Sequence, residues 1–199
     1  MRVPASIREP LRQVLFERQE QRAPFSRAKP ASVLVPLVAR GGEAFVWLIK
    51  RSETMTAHRG QVAFPGGKRD PEDPSPLHTA VRETHEELGF PADAIEVDGR
   101  LDDVSTSTGF VISPFVGWLR EDLVPAPNEH EIARAFCVPL GAFVGRDPRP
   151  HFFRGTGLTR IVPSWEIPGE DGEVVWGATG RIVRSFVAIV RDVLRRHRF

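Results

Sequence analysis

Three glutamates stand close together in the stretch GGKRDPEDPSPLHTAVRETHEELGF, residues 66–90. On a helix, Glu83, Glu86 and Glu87 would be neighbours, and like charges at such spacings repel by about 0.2–0.5 kcal/mol per pair. Arg82 stands four residues before Glu86, but the helical neighbour positions of the other two acids hold no cation. A solvated face with local salt bridges would therefore explain only one acid. A bound divalent cation would offset the repulsion, because carboxylate oxygens are ligands that suit Mg²⁺ and Mn²⁺.

The residues around these acids predict a helix with defined ends. Ser75 can cap the first turn, and Pro76 fits the first helical position because no N–H is needed there. Gly89, followed by Pro91, supplies the matching stop. At about 100° per residue, the apolar positions share one side that should pack on a sheet. These positions are Leu77, Ala80, Val81, Thr84 and Leu88.

The rest of the chain predicts the elements that must position this helix. Apolar alternation and turn residues indicate strands at 32–40 and 44–51, joined by Gly41 and Gly42, and further strands at 60–64, 95–103 and 110–119, the last two separated by a loop at 105–109. Helical periods indicate an N-terminal helix at roughly 5–21 and a C-terminal helix from 178 onward. With 41% hydrophobic residues and no repeat or long linker, residues 1–199 are predicted to form a single domain with its core at about 30–190. The fold class is α/β (α+β), a mixed β-sheet flanked by helices.

The 66–90 stretch resembles the Nudix box, G-x5-E-x7-R-E-U-x-E-E-x-G-U with U apolar. Its second half is matched in register by Arg82, Glu83, Thr84, Glu86, Glu87, Gly89 and Phe90. The loop before the helix holds one residue more than the pattern, which aligns Gly67 with the first glycine and Asp73 with the first glutamate. In the family that acid pairs with the box arginine, so Arg82 and Asp73 are expected to be structural. Asp70 and Glu72 remain open as alternative partners.

A second stretch resembles the segment that precedes the box in coenzyme A pyrophosphatases, a Nudix subfamily. KRSETMTAHRGQVAFPGG, residues 50–67, follows the pattern R-S-x-x-L-x-x-H-x-G-Q-V-x-F-P-G-G, with Met55 in place of Leu. The matching residues are Arg51, Ser52, His58, Gly60, Gln61, Val62, Phe64, Pro65, Gly66 and Gly67. LDDVSTSTGFVISPFVG, EIARAFCVPL and VVWGATGRI are also similar, so the resemblance spans roughly residues 30–190. It implies hydrolysis of the pyrophosphate of CoA or its thioesters, giving 3′,5′-ADP and 4′-phosphopantetheine or its acyl derivative.

The resemblance also implies roles for individual residues. Mg²⁺ or Mn²⁺ would be held by Glu83, Glu86, Glu87 and the Gly66 carbonyl. Catalytic candidates, including the general base, are Glu86, Glu87 and Glu131, with Glu129 as a further loop acid. Substrate binding is assigned to Arg51, Ser52, His58, Gly60, Gln61 and Gly67. The cation that would bind the 3′-phosphate stays open among Lys50, Arg51, Arg59, Lys68 and Arg69, while the tryptophans are expected to pack in the core or at an interface.

Two alternatives remain open. Another Nudix activity, on dinucleotides, nucleotide sugars, ADP-ribose or damaged nucleoside triphosphates, would share the helix but make the 50–67 match incidental. A non-catalytic Nudix domain that senses a ligand is the more distant of the two alternatives, because a sensor has no need of all three helix carboxylates. Either way, a small molecule is the expected substrate or ligand.

Composition limits the partners and the location. Lys and Arg number 27 against 26 Asp and Glu, so the charge balance predicts no bulk binding of nucleic acid. No apolar run is long enough for a bilayer and the N-terminus lacks a signal-peptide core, which predicts a cytoplasmic protein without membrane contact. The single cysteine, Cys137, is expected to be a packing residue. A homodimer is suggested if a terminal helix leaves an apolar face exposed.

Overall fold

A mixed β-sheet with helices on both faces forms the centre of the fold. The computed structural model describes residues 1–23, 28–54, 58–154, 159–168 and 172–199, so Met55 of the second pattern lies outside the described residues. The helices are α1 (Arg8–Glu17), α2 (Pro76–Leu88), α3 (Gly141–Val144) and α4 (Gly177–His197), with 3-10 turns at Ala5–Ile7 and Ala92–Ala94. The strands are β1 (Lys29–Arg40), β2 (Glu43–Arg51), β3 (Val62–Ala63), β4 (Gly66–Lys68), β5 (Ile95–Arg100), β6 (Val104–Ser105), β7 (Phe110–Leu119), β8 (Ile132–Pro139), β9 (Arg149–Arg154), β10 (Thr159–Glu166) and β11 (Val174–Val175).

Strand β1 organises the main sheet. It runs parallel to β7 and antiparallel to β2, and the turn between β1 and β2 is made by Gly41 and Gly42, as predicted. The order is β3-β2-β1-β7-β5, with β4 added to β1, β6 to β7 and β8 to β2. Because β4 pairs with the first part of β1, Gly66 lies opposite Val33. The predicted mixed sheet flanked by helices is confirmed.

The two faces of the sheet carry separate apolar cores. Side chains alternate along β1, so that Leu34 and Val38 face α2, whereas Val35 and Leu37 face α1 and α4. On the α2 side, the core also contains Ile49, Ala80, Leu88, Phe90 and Phe115. On the opposite side, the helices contribute Leu11, Leu15, Ile182, Val183, Phe186 and Val190. Each core buries the apolar side of an amphipathic helix. In the core on the α2 side, this packing holds α2 on the sheet.

Two predicted boundaries are wrong for a single reason. The N-terminal helix ends at Glu17, where the backbone of Arg18 turns extended, and the strand predicted to reach residue 103 ends at Arg100. The segment after α1 instead bonds to the acids that follow β5. Arg18 Nη2 donates to Asp102 Oδ1 at 2.7 Å, and the Gln21 N–H donates to the same oxygen at 2.8 Å. Side-chain acceptors therefore compete with regular backbone pairing at both boundaries.

The strand predicted at 60–64 is shorter, and several strands were not predicted. Gly60 has a φ of 61° in a turn, so the strand is limited to Val62–Ala63. Ser105, the first residue of the loop predicted at 105–109, belongs instead to β6. Strands β4, β6, β8, β9, β10 and β11 were missing from the prediction, and the last three form a second small sheet of order β11-β10-β9.

The terminal helices bury most of their apolar side chains within the chain, but Phe16 of α1 is an exception. On α4, Ile182, Phe186 and Val190 are buried in the core, so that side is unavailable to a second subunit. On α1, Phe16 is 87% exposed. None of the helices in the described part of the chain combines the length and apolar character needed to cross a bilayer.

Candidate active site

Helix α2 has the ends that the sequence predicts. The Ser75 Oγ accepts the His78 N–H at 3.1 Å, Pro76 is the first helical residue, and Gly89 adopts the left-handed conformation with φ of 72°. These local signals satisfy backbone groups that a helix leaves unpaired at its ends. The helix therefore holds its acids in a fixed register above the sheet.

Glu87 is a buried carboxylate with two donors. Its Oε2 accepts the Gly66 N–H at 2.8 Å, and its Oε1 accepts a hydrogen bond from Arg51 Nη1 at 3.0 Å. The residue is only 2% exposed, and burial raises its pKa to about 7, although the Gly66 N–H and Arg51 act in the opposite direction. The charges of Glu83 and Glu131 raise this pKa further. The helical neighbour positions of Glu87 hold no cation, but Arg51, 36 positions earlier at the end of β2, supplies one.

Glu83 also has a cation that helical spacing does not reveal. Arg82 Nη2 donates to Glu83 Oε1 at 3.0 Å, although adjacent residues do not face each other on a helix. The long guanidinium side chain bends back to reach the acid. Burial raises the pKa of Glu83, and its carboxyl group lies so close to Gly67 that a Cβ at that position would come within 2.4 Å of the carboxyl carbon. A side chain at position 67 would therefore displace the Glu83 carboxylate from its present place.

Glu86 differs from the other two acids in exposure. Its side chain is 53% exposed, and its Oε2 accepts a hydrogen bond from Arg82 Nη1 at 2.8 Å, the pair that helical spacing predicts. The helix thus presents one solvent-facing carboxylate beside two that the fold shields from water.

The Arg82 guanidinium donates two hydrogen bonds to the Asp73 carboxylate. The Nε donates to Asp73 Oδ1 at 3.1 Å and the Nη2 donates to Oδ2 at 3.0 Å, whereas the nearest Asp70 oxygen is 3.6 Å away. Asp73 is buried and also accepts the Asp70 N–H and the Thr79 hydroxyl. These donors, Arg82 first, hold the pKa of Asp73 well below its usual range. Of the three loop acids, Asp73 is therefore the one that joins the loop to α2.

Gly66 lies where any side chain would collide with β1. Its φ is 150°, and a Cβ would lie 2.3 Å from the Ser32 carbonyl oxygen and 2.6 Å from the Val33 Cα. The backbone of β4 can therefore approach β1 only as glycine. This close approach aims the Gly66 N–H at Glu87.

The predicted substrate-binding residues lie at the end of β2 and in the loop after it, except for Gly67, which lies in β4. The Arg51 N–H donates to the Gln61 carbonyl and the Gly60 N–H donates to the Arg51 carbonyl, both at 3.1 Å. His58 Nδ1 lies 3.0 Å from Gln61 Oε1. The Ser52 N–H donates to the Glu131 carbonyl at 2.7 Å, which brings the start of β8 to the same place. Glu131 is half-buried there, while Glu129 is exposed.

The cations proposed for a 3′-phosphate have different surroundings. Lys50 is paired with Glu173, and Arg51 with Glu87. The Arg69 guanidinium donates to the Asp73 carbonyl, whereas the Lys68 ammonium lies 5.9 Å from the centroid of the Phe110 ring. The structure does not single out one cation for this role.

The remaining candidates are mostly packing residues. Three of the four tryptophans are buried, namely Trp47, Trp118 and Trp165. Trp176 instead stacks on His151, with ring centroids 4.7 Å apart. Cys137 is half-buried, and burial raises the pKa of its thiol to about 11, in keeping with a packing role.

The chemistry of the α2 acids fits a hard divalent cation. Within the described residues, no three His, Cys, Asp or Glu side chains converge as a ready metal site, since the helix acids turn toward Arg82 and Arg51. The donors available are oxygens alone, the kind that Mg²⁺ and Mn²⁺ prefer. Burial raises the pKa of both Glu83 and Glu87 despite their arginines, so the charge present does not fully offset their desolvation.

Comparisons with known proteins agree with this arrangement. The family model for the NUDIX domain matches residues 28–155. The chain is 38% identical over 156 residues to the Nudix hydrolase NudL of Yersinia enterocolitica, covering 77% of each chain, and 35% identical to that of Yersinia pestis, covering 77% of this chain and 76% of the relative.

Solved structures share the fold at low identity. A MutT/nudix family protein from Enterococcus faecalis has a TM-score of 0.54 at 16% identity, covering 92% of this chain and 72% of that one. A protein from Deinococcus radiodurans has a TM-score of 0.52 at 18% identity, covering 81% and 86%. Matched by the family model and by relatives above 30% identity, the chain belongs to the Nudix hydrolase family.

Proposed function

We propose that this Nudix hydrolase cleaves the pyrophosphate bond of coenzyme A or its thioesters. The products are 3′,5′-ADP and 4′-phosphopantetheine or its acyl derivative. One observation carries the proposal: the segment that resembles the CoA pyrophosphatase pattern lies directly against the acids of α2. Arg51 of that segment bonds to Glu87, and Gly60 and Gln61 bond to the backbone of Arg51.

The acids of α2 are proposed to hold Mg²⁺ or Mn²⁺, ions that Nudix hydrolases generally use. Glu83, Glu86, Glu87 and the Gly66 carbonyl are the proposed ligands. Such an ion, when bound, neutralises phosphoryl oxygens and lowers the pKa of the attacking water. The Gly66 N–H keeps one Glu87 oxygen oriented toward β4. The ion pair between Asp73 and Arg82 keeps the loop after Gly66 against the helix that carries the acids.

The loop after β2 is proposed to bind the substrate. Arg51 reaches Glu87 from the end of β2, and the loop that follows carries the other proposed binding residues, Ser52, His58, Gly60 and Gln61. Gly67 lets the chain approach the pyrophosphate closely. Since the His58 ring lies against Gln61 Oε1, we assign it to loop structure and recognition rather than to proton transfer.

The general base is proposed to be Glu86 or Glu131. Glu87 is the weaker choice, since both of its oxygens already accept hydrogen bonds in a buried site. Glu86 is open to solvent on the helix, and Glu131 is half-buried beside the substrate loop. If Glu131 is the base, Glu131→Gln should lower kcat while metal affinity stays near that of the wild type, whereas Glu86→Gln should weaken metal binding as well. Of the two variants, Glu131→Gln tests the base role more cleanly, because Glu86 is also a proposed ligand.

A substrate panel tests the proposed function. Purified protein with Mg²⁺ or Mn²⁺ is incubated separately with CoA, an acyl-CoA, oxidised CoA, ADP-ribose and a nucleoside triphosphate, and the products are separated by chromatography. We expect a CoA compound to be cleaved fastest, with 3′,5′-ADP as one product. Much faster turnover of ADP-ribose or of the triphosphate would refute the proposed substrate and favour another Nudix activity.

Two variants test the proposed role of the α2 acids. Glu87→Gln should lower kcat/KM by at least about 100-fold, because even an outer-shell partner of a metal site contributes about 10–100-fold. Glu121→Gln replaces an exposed glutamate outside the site and serves as the matched control. Equal activity of the two variants would contradict the metal-ligand role.

A further inference from the structure

Two arginines, Arg51 and Arg82, pair with the buried acids of α2, and the two guanidinium groups are held in different ways. Arg82 is bound bidentately by Asp73 and also donates to the Lys68 carbonyl. Among the described residues, the Arg51 guanidinium makes a single hydrogen bond, to Glu87. Arg82 therefore cannot leave its place without breaking the link between loop and helix. Arg51 can leave Glu87 without disturbing another side chain that the structure describes.

Arg51 lies at an irregular strand end, and its side chain is partly exposed. It is the last residue of β2, and the pairing of β2 with β8 is irregular between Lys50 and Arg51. Its side chain is 19% exposed, whereas that of Glu87 is 3% exposed. The arginine side chain is therefore more exposed to solvent than the acid with which it pairs.

The charges around Glu87 are mainly negative. Glu83 and Glu131 both act on this carboxylate, and Arg51 is the cation that offsets them. A divalent cation bound by Glu87 would provide the same compensation with twice the charge. Its charge would repel the guanidinium, which lies 3.0 Å from Glu87 Oε1, so the two cations would act on the same carboxylate from close range.

We propose that the Arg51 guanidinium and a divalent cation compete for the Glu87 carboxylate. Arg51 is then the counter-ion of Glu87 until the cation binds, and the guanidinium turns away from Glu87 when it does. The inference rests on the metal site of the proposed function. It gives Arg51 a role in setting metal affinity that is separate from contact with the substrate.

The affinity for Mn²⁺ alone, without substrate, tests the competition. Free Mn²⁺ is measured by electron paramagnetic resonance during titration of the wild type, Arg51→Met and Arg120→Met, an exposed arginine outside the site. Arg51→Met should bind Mn²⁺ roughly tenfold more tightly than the wild type, a change of about 1.4 kcal/mol. In EDTA its Tm should be lower than that of the wild type, because Glu87 loses its counter-ion. Arg120→Met should match the wild type in both measurements.

The opposite result has a clear meaning. If Arg51 instead orients Glu87 for the metal, Arg51→Met will bind Mn²⁺ more weakly, and the competition is refuted. Unchanged affinity refutes it as well. Glu87→Gln reports on the metal site separately: if it binds Mn²⁺ as tightly as the wild type, the proposed ligand set is wrong, whatever Arg51→Met does.

A crystal structure of the wild type with Mn²⁺ tests the same inference without a variant, should Arg51→Met fail to fold. The distance from Arg51 Nη1 to Glu87 Oε1 is 3.0 Å here. With Mn²⁺ on Glu87, we expect this distance to exceed hydrogen-bonding range. A Mn²⁺-loaded structure that retains the hydrogen bond overturns the inference.

Discussion

The ion pair between Asp73 and Arg82 should be a main source of stability for the loop before α2. The Asp73 side chain is 2% exposed and accepts hydrogen bonds from Arg82, the Asp70 N–H and the Thr79 hydroxyl. Asp73→Asn keeps the size of the side chain but removes the charge that pairs with the guanidinium. The loop that carries Gly66 and Gly67 to the helix would lose its strongest attachment.

The cost of this change follows from burial. Removing one partner of a buried ion pair costs about 3–5 kcal/mol of unfolding free energy. Because Arg82 keeps Glu83 and Glu86 as acceptors, we expect the lower end, about 3 kcal/mol. In a domain of this size about 1 kcal/mol shifts Tm by about 2–4 °C, so Asp73→Asn should lower Tm by about 6–12 °C at neutral pH.

The difference in Tm should also depend on pH. Because the native donors hold the pKa of Asp73 below its unfolded value of about 3.9, the stabilisation is fully present above that value. It is lost as the pH falls toward the folded pKa. Thermal unfolding followed by circular dichroism should therefore give a constant difference between wild type and Asp73→Asn from about pH 5 to 8, and a smaller one below about pH 4.

Asp70→Asn is the matched control. This aspartate lies in the same loop, 3.6 Å from the guanidinium, and its side chain is 58% exposed. Exposed pairs contribute about 0–1 kcal/mol, so its Tm should fall by no more than about 4 °C. If Asp70→Asn and Asp73→Asn lower Tm equally, or if the Asp73→Asn difference is the same at pH 3 and pH 7, the reasoning from burial is refuted.

Three further predictions concern single side chains. Gly66→Ala should lower the unfolding free energy by at least about 3 kcal/mol, since the methyl group would meet β1, whereas Gly41→Ala, in an open turn, should cost about 1–2 kcal/mol; equal Tm values would contradict this. Ser75→Ala should cost about 1 kcal/mol by removing the cap of α2, and Ser75→Asp, which keeps an acceptor, should restore most of the lost Tm. With its pKa raised to about 11, Cys137 has roughly 200-fold less thiolate at pH 8 than a free thiol of pKa about 8.5, and the greater nucleophilicity of the more basic thiolate offsets roughly tenfold of this, so its reaction with iodoacetamide should be roughly 20-fold slower; a comparable rate would show that the thiol is not buried.

The sequence predicted the elements whose signals are local. The cap at Ser75, the stop at Gly89 and the apolar period between them define α2, and the structure gives the helix those ends. The hairpin at Gly41 and Gly42 is of the same kind, because turn residues and flanking alternation lie within a few positions of each other. The membership in the Nudix family was also readable, since the Nudix box is a continuous stretch of chain.

Strands in the second half of the chain were harder to predict. Strand β8 pairs with β2, some 90 residues earlier, and β9, β10 and β11 form a separate small sheet. Strand pairing depends on partners that are distant in sequence, and short strands carry weak patterns of their own. The end of the N-terminal helix was also set by distant acceptors, the acids that follow β5.

The sequence by itself determined that three carboxylates share one helix and that a loop rich in acids precedes it. Only the tertiary structure decided how each charge is compensated. Arg82 pairs with Asp73 rather than with Asp70, because the loop buries the Asp73 side chain. Arg51 reaches Glu87 from the end of strand β2. Helical spacing describes neighbours three and four residues apart, whereas these ion pairs depend on how a loop and a strand fold against α2.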